Sequence, residues 1–146
     1  MAQIGLDCEI ILDGIGYFVK PGTYQMRQPR NRQVTLRADG GNSYVDLGPG
    51  KRIWEMTLLC INELKRYDGA NVTLSGQQYR DALRASFISS IGTTINFVDP
   101  LNGSSVSVHF DTYQERILNL HSQIISLSTG GSPRASYEVS ITLIEA

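Results

Sequence analysis

The stretch YEVSITLIEA, at residues 137–146, alternates so regularly that it leaves one reading: Tyr137, Val139, Ile141 and Leu143 fall on one side, and Glu138, Ser140 and Thr142, continued back to Ser136, on the other. Period two is the repeat of a β-strand, whose successive side chains point to opposite faces, so this segment is a strand with one face on a core and one toward water. The same period recurs through most of the 146 residues. In CEIILDGIGYFV, Ile10 and Leu12 lead into Asp13-Gly14, and Tyr17 and Val19 lead out. That pattern predicts a hairpin, because an Asp-Gly pair accepts the positive φ that a tight two-residue turn demands. RIWEMTLLCI sets Trp54, Met56, Leu58 and Cys60 on one face and Ile53, Leu59 and Ile61 on the other. Apolar on both faces, it reads as a central strand or one pressed against a partner. QVTLR, TTINFV and SSVSVHF read as further strands, the last with Val106, Val108 and Phe110 opposite serines and His109, and RILNLHSQIISLS as a long extended or bulged one.

The alternation breaks once, in SGQQYRDALRASFISSIG. Tyr79, Leu83, Phe87 and Ile91 recur every four residues, with Ala82 and Ile88 widening the stripe, which is the repeat of an amphipathic helix. Ser75 stands at the N-cap position with Gln78 three residues on, a capping box worth about 1 kcal/mol, and Gly92 stops the helix. An isolated helix of this length is marginal in water, so its stripe must lie on the sheet. The expected class is therefore mainly β: a single-domain β-barrel or two-sheet sandwich over residues 1–146 with one flanking α-helix at about residues 76–91. At 41% hydrophobic, the chain has enough apolar material to bury a core without metals or disulfides.

Two segments, 20–33 and 38–51, exceed the usual few residues between strands and read as extended loops, the second rich in turn formers. Arg27, Arg30, Arg32 and Arg37 stand close together there with no acid between them. The candidate protein interface is Tyr24, Met26, Arg27, Arg30, Arg32, Arg37, Tyr44 and Lys51. Guanidinium groups suit docking on an acidic surface because their planar fork pairs bidentately with carboxylates. Wrapping nucleic acid is disfavoured as the main task, since the net charge is −1 and such proteins present a broad basic face.

No catalytic chemistry stands out, and an enzyme, a metal or a cofactor is not expected. Cys8 and Cys60 sit in apolar runs and read as buried free thiols, which suits a reducing cytoplasm. GPGKR at 48–52 has Val45 and Arg52 where a phosphate-binding loop needs glycine and Ser or Thr, and reads as a flexible turn before a strand. His109 and His121 fall in separate expected strands without metal-ligand spacing. Asp99, before Pro100, is turn chemistry, and Asp111 and Glu115 lie near strand ends. Asn71 and Asn102 open glycan-acceptor triplets that also read as turns. MAQIGLDCEI lacks the basic region and long apolar run of a secretory signal, and no apolar run approaches the ~20 residues of a membrane span, so neither export nor a membrane partner is expected.

From about residue 50 the order of elements is GPGKRIWEMTLLC, a spacer, the amphipathic helix, TTINFVDPLNGSSVSVHF, another strand and YEVSITLIEA. In that order and strand style the chain resembles the tail-hub domains of bacteriophage tail proteins, especially distal tail proteins, with the N-terminal hairpin as their opening strands. The resemblance implies a non-enzymatic building block of the virion tail, assembled in the host cytoplasm. Such domains form homo-oligomeric rings, commonly hexameric, that extend the tail tube or adapt it to the baseplate or fibres. Partners would be its own copies and neighbouring tube or baseplate proteins, with DNA passing through the lumen without specific binding. A sizeable C-terminal carbohydrate-module-like domain is absent from the pattern, so a compact ring or adaptor is expected rather than a receptor binder. The alternative is a small β-barrel module that binds a ligand or peptide.

Overall fold

A computed structural model describes residues 3–62, 64–71, 74–131 and 135–146, with side chains at 31–36 and 42–47 outside that description. Its strands are β1 (Ile10–Leu12), β2 (Ile15–Val19), β3 (Gln25–Arg27), β4 (Arg30–Leu36), β5 (Asn42–Pro49), β6 (Ile53–Cys60), β7 (Ile95–Val98), β8 (Ser105–Ile117) and β9 (Tyr137–Glu145); its helices are α1 (Gly76–Ser89) and α2 (Leu120–Ser128). The chain is mainly β with a helix on its flank, as expected. Seven strands form one antiparallel sheet in the order β2-β1-β7-β8-β9-β6-β3, and a further pairing of β2 with β6 closes six of them into a ring. β4 and β5 form a separate two-stranded sheet.

Register explains why the interior is dry. β6 and β9 pair Trp54 with Leu143, Met56 with Ile141 and Leu58 with Val139, so their apolar faces coincide and all six side chains are buried. Trp54 meets Phe97 of β7 edge-on, with ring centroids 5.2 Å apart. The expected hairpin is present: Asp13 and Gly14 take φ of 53° and 81°, and Ile10 pairs with Tyr17. In β8 the register shifts between Phe110 and Thr112, which marks a bulge around Asp111. The inward set therefore runs from Val108 and Phe110 on to Tyr113, and the next residue on that side, Glu115, reaches the flanking helix.

The helix α1 is capped as its sequence predicts, with the Ser75 hydroxyl accepting from the Gln78 N–H and the Gln78 side chain accepting from the Ser75 N–H. Tyr79 and Leu83 are buried, and Phe87 packs against Phe110 and Tyr113. The stripe stops there. α1 ends at Ser89, two residues short of the expectation, and Ile91 is 77% exposed and Ile88 also exposed. The chain must turn back after Ser90 to pair Ile95 with Val108, and Gly92 makes that turn at a φ of 76°.

Arg80 ties the helix to the sheet. Its guanidinium donates through Nε and an Nη to the two oxygens of Glu115, and the Tyr113 hydroxyl donates to Glu115 Oε2 at 2.7 Å. These donors stabilise the carboxylate and hold its pKa at about 2, down from an ordinary 4.5. A depressed carboxyl pKa contributes stability that is present above the unfolded value and lost as pH falls through the folded one. Between about pH 4.5 and 2 the wild type should therefore lose stability more steeply than Glu115→Gln. Urea midpoints across that window measure this, and parallel pH profiles would show that the pair does not link helix to sheet.

Two expectations are corrected. The stretch RILNLHSQIISLS is not one extended strand: β8 ends at Ile117 and α2 follows. Ile117 pairs with Tyr137, the first residue of β9, so a strand continued further would have no partner for its backbone groups, whereas a helix satisfies them internally. His121 accordingly lies on α2 and not in a strand. The segment 38–51 is likewise not a loop, since β5 occupies most of it and pairs with β4. β3 and the start of β4 take up part of 20–33 as well.

Candidate functional site

The arginine-bearing segment is a two-stranded arm. Strands of 7 and 8 residues make it roughly 25 Å long at ~3.3 Å per residue. At its base the Gly50 N–H donates to the Pro29 carbonyl and Gln28 Nε2 to the Gly50 carbonyl at 2.9 Å. GPGKR is thus the junction between arm and body, with Gly48 and Pro49 ending β5 and Lys51 and Arg52 leading into β6. At the tip the Arg37 N–H donates to the Gly41 carbonyl at 2.7 Å, and Gly40 adopts a φ of 85°. Among the described residues no third strand pairs with either β4 or β5.

The eight candidate interface residues divide by their surroundings. β3 presents Met26 and Arg27 as exposed side chains, and Arg27 has a partner that its sequence neighbours do not reveal: Glu55, across the β3–β6 pairing, at 3.7 Å. Arg37 lies 3.6 Å from Asp39 within the tip. Both pairs are exposed and worth ~0–1 kcal/mol, so they leave these guanidiniums available for exchange to another carboxylate. Arg30 and Lys51 are exposed at the base of the arm. Arg32 lies opposite Asp46 and Tyr44 opposite Val34 in the backbone register, while their side chains lie outside the described ones. Tyr24 belongs to the body: its hydroxyl donates to Asp99 Oδ1 at 3.2 Å, and burial, with the Asp99 charge adding to it, pushes the phenol pKa up.

Charge is segregated along the chain. Residues 25–52 hold six of the 13 Lys and Arg but two of the 14 Asp and Glu, a net +4, which leaves −5 on the remainder. Arg52 is built into the body, where its guanidinium donates to Glu145 Oε2 and lies 4.9 Å from the Trp54 ring centre.

A second surface was not legible as such in the sequence. Leu120, Ile124, Ile125 and Leu127 of α2 are all exposed, whereas the buried residue of that helix is Ser126. The signal that could have found it is the spacing of Leu120, Ile124 and Leu127, four and then three residues, which is helical and not alternating.

The remaining features are structural. Asp99 accepts from the Leu101 N–H at 2.9 Å, closing its turn, and Cys8 and Cys60 are free and buried, with burial pushing both thiols up to about 12. His109 and His121 are exposed, and among the described residues no group of three His, Cys, Asp or Glu could hold a metal ion. A shallow groove of about 480 Å³ runs over the outer face of β6, β8 and β9, lined by Thr57, Ser140, Thr142 and Gln114 among others. No helix among the described residues is long and apolar enough to cross a membrane. No protein-family model matches the chain, and no curated protein matches it.

Proposed function

We propose that this chain is a structural component of a bacteriophage tail or tail-like machine, forming a ring of its own copies that extends the tail tube or adapts it to the baseplate or fibres around a DNA channel. The observation that carries the assembly reading is the arm. A two-stranded ribbon is marginal by itself in water, and β4–β5 has no third strand in its own chain among the described residues. Contact with a neighbour would supply the missing support.

Charge gives that contact a direction. Two arms of net +4 repel, while an arm and a body of net −5 attract, so one copy's arm belongs on the next copy's body. Such a head-to-tail interface repeats until it closes as a ring or runs on as a filament. The resemblance to tail-hub domains supplies the rest: the ring form, the virion tail as location and assembly in the host cytoplasm. Arms facing away from the channel also suit passage of DNA, because guanidinium groups in the lumen would hold the genome it must release.

Replacing Arg27, Arg30 and Arg32 with Glu should leave the monomer folded and abolish the multimer, read by native mass spectrometry and light scattering. The wild-type multimer should loosen as salt rises, since several exposed pairs share the contact. Wild type that stays monomeric at high concentration and low salt would overturn the reading. So would a triple variant that assembles normally while the wild type binds DNA tightly at ~150 mM salt.

A further inference from the structure

The face of α2 asks for a partner of a different kind from the arm's. Leu120, Ile124 and Leu127 are 55%, 54% and 76% exposed. At 100° per residue these three fall within one narrow stripe, turned well away from the direction of Ser126, the residue that seats the helix on the body. Leu118 and Ile125 add exposed apolar surface beside it. Together the five present an area on the order of 400 Å², at the upper end of what a soluble monomer leaves uncovered.

The surroundings say what would cover it. Residues 117–133 contain no Asp, Glu, Lys or Arg. A helix that lies on an anionic membrane carries Lys and Arg along its polar face, and an acidic or basic partner would need countercharges, so neither fits. An uncharged face meets its own copy without juxtaposing like charges, which the arm cannot do. The four-then-three spacing of Leu120, Ile124 and Leu127 is also the seam by which two helices interlock. Two such faces bury a total approaching the ~1,000 Å² of a specific interface.

We propose that α2 packs against α2 of a second copy of this chain across a two-fold axis, with Ile124 nearest the axis. This contact is separate from the arm's and does not depend on the ring reading. It is apolar, so rising salt does not weaken it, whereas the arm contact loosens.

The test uses the full chain. Sedimentation of the arginine triple variant, which lacks the arm contact, should show a concentration-dependent dimer that persists at high salt. Adding Ile124→Glu or Ile124→Lys to it should raise the dimer dissociation constant at least about tenfold, and mixing the two in equal amounts should restore association, because at a two-fold contact the introduced carboxylate of one copy meets the introduced ammonium of the other. Ile124→Cys should cross-link to a covalent dimer under mild oxidation, since Cys8 and Cys60 are fully buried and stay out of reaction. A triple variant that remains monomeric at millimolar concentration would overturn the proposal, as would an equal mixture of the Ile124→Glu and Ile124→Lys proteins no more associated than either alone. Loss of the salt-sensitive multimer with the α2 dimer intact would count against the ring reading alone.

Discussion

Replacing Leu83 with alanine should lower the unfolding free energy by about 2–5 kcal/mol, the range for deleting a fully buried leucine whose neighbours relax only partly into the cavity. Leu83 is 0% exposed and sits between Tyr79 and Phe87 on the face that α1 turns to the sheet. The capping box contributes about 1 kcal/mol, too little to hold a 14-residue helix in water, so packing of this face keeps α1 in place. Ile91→Ala is the matched control. Although Ile91 follows the same four-residue spacing, it is exposed, and its loss should leave the midpoint almost unmoved. Equal midpoints for wild type and Leu83→Ala in urea would show that the stripe is not core.

Gly76→Ala should destabilise the protein by about 1–3 kcal/mol, against what helix propensity alone predicts. Alanine is favoured over glycine in a helix by about 1 kcal/mol, and Gly76 opens α1, so the local argument forecasts a gain. The tertiary contacts reverse the sign. A Cβ at this position would lie 2.5 Å from the Cys60 carbonyl oxygen and 2.8 Å from that of Ala135, both backbone atoms at the ends of β6 and before β9, which cannot swing aside as a flexible side chain could. The Gly76 N–H also donates to Asn62 Oδ1 at 2.9 Å, and displacing the helix start would break that bond. Thermal melts measure the difference, and a variant melting above wild type would show that the helix start yields easily.

Features set by near neighbours in the chain are legible in its sequence. The alternation of Trp54, Met56, Leu58 and Cys60, and of Val139, Ile141 and Leu143, determined which faces are buried, because a strand's side-chain period is a property of its backbone. The Asp13-Gly14 turn and the Ser75 and Gln78 cap followed the same logic, since each is closed by residues within a few positions. Whatever depends on a distant partner needed the tertiary structure. β8 stops at Ile117 because β9 begins opposite it at Tyr137, and that alone turns an apolar run expected as strand into the exposed helix α2. The segment around Tyr44 became a strand only through its register with β4, and Arg27 acquired Glu55 only through the pairing of β3 with β6. The closing of β2 onto β6 and the crowding at Gly76 arise in the same way, from segments that the sequence separates and the fold brings together. Local periodicity carries no record of which strand lies alongside which, so the chain itself determined its elements and its buried faces, and the assembled sheet decided where strands end and which surfaces stay uncovered.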